Sequence, residues 1–214
     1  MRSNAGRAIS RGKTFRAILL AVYATLWTVL AIAPRDRTAW LLENLLVVLF
    51  AGLLIFTYRR FAFSNQSYLL ITAFLCLHAF GAHYTYTHTP AGEWLKEWLQ
   101  LSRNHFDRII HFGFGLLMAY PARELLLRLA RIEHAAAFWL PVAAVLAAST
   151  LFEVTEAVVA QIVSPGSGPQ WLGGQGDVWD AQWDMTLAFT GAMAAMLLWS
   201  LGFMTSRQRR DRRN

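Results

Sequence analysis

The chain has 214 residues, of which 56% are hydrophobic and only 15% charged, and it carries a formal net charge of +7. Soluble domains average about 25% charged residues, so the composition argues against an ordinary water-soluble fold. The single cysteine, Cys76, excludes an internal disulfide and reads as a small apolar side chain within a helix.

Uncharged runs recur at 17–34, 44–58, 66–92, 109–122, 134–152 and 185–206. Leu, Val, Ala and Phe dominate them, and the strict alternation of a barrel strand is absent. The pattern predicts an all-α fold, a polytopic membrane helix bundle with about six transmembrane helices. The expected spans are 15–33, 39–58, 66–87, 106–123, 135–160 and 182–204, within one integral membrane domain over 1–214.

The first span follows a basic tail and ends in Ala31-Ile32-Ala33, which resembles a signal-peptidase site. Its apolar stretch is longer than a usual signal core and Pro34 would follow the cut, so it reads as an uncleaved helix. Between the third and fourth spans, AGEWLKEWLQL at 91–101 sets Trp94, Leu95, Trp98 and Leu99 on one helical face, as in a helix lying on the membrane surface. ARELLLRLARIE at 122–133 reads as a second interfacial helix. Residues 161–176, with Pro165, Pro169 and five glycines, read as a loop.

Lys and Arg set the orientation. On the six-span reading 15 of the 20 basic residues fall on one side and 5 on the other, the latter being Arg35, Arg37, Lys96, Arg103 and Arg108. Both termini, with the basic tails 1–14 and 205–214, are therefore expected in the cytoplasm. Membrane lipids account for the positive charge, and no nucleic-acid motif is present.

Ionisable residues gather near one membrane face. Asp107 and His111 are spaced i, i+4 on the fourth span, and Glu153 and Glu156 i, i+3 on the fifth. Asp180 and Asp184 open the sixth, while Glu43 and Asn44 lie in the second and His78 and His83 in the third. Bland readings exist for several of them. Asp177 is expected to cap the sixth helix with Asp180 near its third position. Asp107 can pair with Arg103 or Arg108, and Glu43 with Arg35 or Arg37. His83, His88 and His105 can be solvated or hydrogen-bonded interfacial residues. Glu153 and Glu156 resist such readings, because charge at membrane depth costs roughly 2.5–3.5 kcal/mol and two acids one turn apart repel. They are expected to line a polar pocket.

The stretches NHFDRIIH at 104–111, EVTE at 153–156 and GQGDVWDAQWDM at 174–185 resemble the signatures of the YjdF-type bacterial inner-membrane proteins, over most of the chain from the second span to the sixth. The resemblance implies a small multi-span inner-membrane protein and no assigned reaction. A fainter resemblance, to VanZ-like membrane proteins, rests on Asp107 with His111, Glu153 with Glu156, and Asp184 with Gly191; Glu156 departs from it, standing where an amide is expected.

Two classes of function follow. In the first, His111, Glu153, Glu156 and Asp184 hold a divalent metal such as zinc, and Asp107 or Asp180 serves as catalytic base on a lipid or envelope substrate. In the second, the carboxylates form the site of a small cation- or proton-coupled transporter or binding protein. A structural role in helix packing is the third reading. No HExxH, P-loop or GxSxG motif is present.

Overall fold

The computed structural model describes residues 2–133, 135–163 and 174–211. The described residues form seven α-helices and no strand: α1 Arg2–Leu30, α2 Arg37–Thr57, α3 Asn65–His83, α4 Pro90–Trp98, α5 Phe106–Leu129, α6 Ala136–Val163 and α7 Asp180–Asp211. A 3-10 turn, Gly174–Gly176, precedes α7. A helix stands at each of the six expected positions. Among the described residues four stretches are long and apolar enough to cross a membrane: Gly12–Leu30, Arg37–Thr57, Ala136–Ile162 and Asp180–Gly202. Their outer faces stay apolar and uncovered, with Phe56 85% and Ile162 72% exposed, a pattern suited to lipid and not to water. Most of the glycine- and proline-rich segment at 161–176 lies outside the described residues, as do the side chains of residues 1–11 and 203–214.

The chain packs as two compact units, Met1–Ile110 and His111–Asn214. In the first, α3 packs against both α1 and α2. The turn into α2 is specified locally: the Asp36 carboxylate accepts from the Thr38 and Ala39 amides at 2.8 and 2.9 Å. Buried Asn44 then ties α1 to α2, accepting from the Trp27 indole at 2.5 Å and donating to the Trp40 carbonyl at 2.7 Å. A buried amide so satisfied is a cross-link between helices in a solvent that offers no competing water.

The third helix ends at His83, four residues before the expected 87. Thr85 and Tyr86 both adopt positive φ, 54° and 52°, which no α-helix can continue. Tyr86 folds back instead. Its amide donates to the Gly81 carbonyl at 2.8 Å, and its ring packs on Gly81, where any Cβ would collide with it. Its hydroxyl reaches His78 Nδ1 at 2.7 Å and Glu43 Oε2 at 3.4 Å. Glu43 thus meets a phenol, and Arg37 donates to the Ala31 carbonyl at 2.9 Å. His83 is hydrogen-bonded: its Nδ1 lies 2.7 Å from the Leu30 carbonyl oxygen.

Helix α4 forms within the 91–101 stretch expected at the membrane surface. Pro90 starts it, and Trp94 and Trp98 stack with ring centroids 5.6 Å apart while both remain mostly exposed. Asn104, fully buried, holds it down by donating to the Thr89 carbonyl at 3.2 Å and Glu93 Oε1 at 3.0 Å. That bond, followed by Lys96, holds the Glu93 carboxyl below its ordinary range. Gly92 is flush against the Asn104 amide, leaving no space for a side chain. The same Asn104 accepts from the Phe106 amide at 3.0 Å, so it also starts α5.

In the second unit α6 packs along α7, around a core of Ala119, Val142, Val145, Ala188, Ala192 and Met196. The separate interfacial helix expected at 122–133 does not form; α5 runs on through Pro121 to Leu129. A proline costs a helix one hydrogen bond, but an apolar, packed environment tolerates this better than a break exposing several backbone groups. Arg123 is held there over the Trp199 ring, 3.4 Å from its centroid.

Candidate functional site

The second unit brings together part of the expected acid and histidine set. His111 lies in the second turn of α5, Glu153 in the later half of α6, and Asp180 and Asp184 in the first two turns of α7. All four side chains are buried, at 8%, 9%, 6% and 3% exposure. His111 Nε2 stands 3.5 Å from Glu153 Oε1. A carboxylate oxygen of Asp184 lies within 4.8 Å of a His111 ring nitrogen, and Asp180 is close enough for its charge to act on the ring. Phe152 packs edge-on against His111, with centroids 5.9 Å apart, and holds the imidazole plane.

The backbone explains how α5 and α7 come so close. A Cβ on Gly115 would collide with the Ala188 carbonyl and the Ala192 amide. A Cβ on Gly191 would collide with the Phe112 carbonyl and the Leu116 amide. The two glycines are reciprocal, each receiving the other helix's backbone. Small residues permit this approach, which is a general device of membrane helix pairs. The crossing begins one turn from His111 and from Asp184, and so sets their separation.

Two more of the expected residues stand one turn away along the same helices. Glu156 stands one turn beyond Glu153 and is half-buried. Asp107 stands one turn before His111 on α5, half-buried, and within the first unit its charge acts on Glu43. Asp177 does not cap α7. Its carboxylate accepts from the Trp179 amide at 3.0 Å, a side-chain turn before the helix. Trp179 holds the capping position, its carbonyl accepting from Trp183 at 3.0 Å. Asp180 is accordingly the first helical residue and not the third. Its side chain is buried, while those of Val178 and Trp179 before it are exposed.

Comparison with known proteins bears on this chain as a whole. Residues 15–204 match the family described as "Predicted membrane protein (DUF2238)". The chain belongs to that family. It is also 35% identical, over 191 residues, to "Inner membrane protein YjdF" of Escherichia coli (strain K12), covering 86% of this chain and 90% of that protein. No solved structure matches. With its apolar helices, this family member is a multi-pass protein of the bacterial inner membrane. The match spans α5, α6 and most of α7, and therefore the whole buried cluster. The VanZ-like resemblance rests on its few motif positions alone.

Two features escaped the sequence. Gly115 carries no signal by itself, although Gly113, Gly115 and Gly191 are the small residues that close helix pairs favour. Ser149, 2% exposed and one turn before Glu153, was legible only as a small polar residue on the same helical face.

Proposed function

We propose that His111, Glu153 and Asp184 hold a divalent cation such as zinc, and that the protein uses it to hydrolyse a lipid or envelope substrate at the membrane face. What carries this reading is one distance. A charge-assisted hydrogen bond between His111 and Glu153 would close to about 2.7–2.9 Å. The 3.5 Å separation instead matches the edge of a ligand tetrahedron. Metal–ligand bonds of about 2.0–2.1 Å place neighbouring ligand atoms roughly 3.3–3.5 Å apart. The cation would generate a nucleophilic water, and Asp180, one turn outward from Asp184, would take its proton. Asp107, one turn outward from His111, is the other candidate base. Glu156 would bind in the outer shell. Transport suits this unit less well, because the next turns inward are filled by Ala119, Val142, Val145, Ala192 and Met196.

The test is metal analysis of detergent-purified protein. Wild type is expected to hold about one divalent ion per chain and Glu153→Ala none. Losing a direct ligand should weaken binding by more than the roughly 10–100-fold typical of outer-shell changes. A wild type free of metal after zinc or manganese loading would remove the basis of the proposal.

The reading includes six spans, with α3 and α5 crossing beside the four most apolar helices, and both termini in the cytoplasm. The 15-to-5 distribution of basic residues supports it. A cytoplasm-active reporter fused after Asn214 is expected to work, and one placed within 161–176 to stay silent. The opposite result would invert the site relative to the membrane.

A further inference from the structure

We infer that Ser149 is a further member of the cation site, forming its inner floor and donating a hydrogen bond to the water that the cation carries. The inference rests on the cation reading above and adds a residue that neither motif nor family resemblance points to.

The argument begins with an unmet hydroxyl. Ser149 is 2% exposed, and its Oγ has no hydrogen-bond partner among the described residues. Serines within helices ordinarily satisfy themselves on the carbonyl one turn back, as Thr150 does on Leu146 at 2.9 Å and Thr155 on Leu151 at 2.7 Å. Ser149 does not. A buried hydroxyl without a partner costs about 1–3 kcal/mol, so a group held this way is explained by a water, ion or ligand that meets it.

Helix register places that hydroxyl at the site. The short link at 130–135 makes α5 and α6 antiparallel, and His111 meets Glu153. Thr150 Oγ1 touches Met185 Sδ at 3.2 Å and sets this part of α6 against the opening of α7. One turn inward from the cluster therefore lie Gly115 on α5, Ser149 on α6 and Ala188 on α7. Gly115 and Ala188 are the point of backbone contact and offer no side-chain donor. Of these three residues Ser149 alone carries a hydroxyl, one turn inward from Glu153 on the way to the apolar core. A neutral donor there suits a water bound to a divalent ion, since it steadies the developing hydroxide without adding charge.

The experiment measures zinc affinity by competition with a chromophoric chelator, together with the Tm of the metal-free protein. Wild type, Ser149→Ala and Glu153→Ala are compared in the same detergent. For Ser149→Ala we expect unchanged stoichiometry, affinity weakened at least about tenfold, as for other outer-shell partners, and a metal-free Tm equal to or above wild type. Unchanged affinity in Ser149→Ala beside lost binding in Glu153→Ala would overturn the role of Ser149 and leave the cation site standing. A metal-free Tm well below wild type would make the hydroxyl a packing element and overturn it also. Failure of the wild type to bind zinc would overturn both proposals.

Discussion

Leucine at Gly115 or Gly191 is expected to destroy the folded second unit. At each position even a methyl group would fall inside the other helix's backbone, against a carbonyl oxygen and an amide nitrogen. A flexible side chain could rotate away, but a helix backbone cannot without moving the whole helix. Overpacking in a well-filled core costs about 1–3 kcal/mol and occasionally more, and a backbone contact belongs at the upper end. Separating α5 from α7 would also pull His111 from Asp184. Yield of monodisperse protein and Tm in detergent check this. Gly52 and Gly202 are the controls, because a Cβ at either meets nothing within 4 Å. Alanine there should be neutral or stabilising by up to about 1 kcal/mol, the helix-propensity gain over glycine. If Gly115→Leu were as stable as Gly52→Ala, the helices would not cross as described.

The second large effect separates the three aspartates at the start of α7. Asp184→Asn is expected to fold at least as well as wild type, since it removes a charge from a site only 3% exposed. It should nevertheless lose bound metal, an affinity loss above about a hundredfold for a direct ligand. Asp177→Asn should keep both fold and metal, because an asparagine oxygen can accept from the Trp179 amide as the carboxylate does. Tm and metal content are measured on each protein. Retained metal in Asp184→Asn, with metal lost in Asp177→Asn at unchanged stability, would move the site out of the helices and into the preceding turn.

Much of the fold is legible in the sequence. Solvent is the strongest constraint on a chain, and runs such as 185–206 announce it through the absence of charge. Backbone groups in an apolar medium must be satisfied within the segment, so hydrophobic length translates directly into helix. Local chemistry was legible too, in the face of α4 that carries Trp94 and Trp98. Helix ends were not. The left-handed pair Thr85 and Tyr86 that stops α3 is held by the fit of a ring on Gly81 and by His78 and Glu43 on two helices. The continuation of α5 past Pro121 is likewise invisible in its own residues, where proline reads as a stop.

The site divides in the same way. The spacing of Glu153 and Glu156, and of Asp180 and Asp184, showed that acids lay at one end of several helices. It could not show which of them turn inward, because periodicity relates residues within a helix and carries nothing about rotation between helices. That rotation is decided by close packing. The reciprocal Gly115 and Gly191 bring α5 onto α7, Phe152 packs on the His111 ring, and Thr150 touches Met185. Sequence by itself determined the solvent, the helices and the inventory of chemical groups, because each follows from local composition. Tertiary structure alone decided that His111, Glu153, Asp180 and Asp184 are buried together in one unit while Asp177 stays in the turn. Only contacts between residues distant in the chain can choose one face of a helix over another.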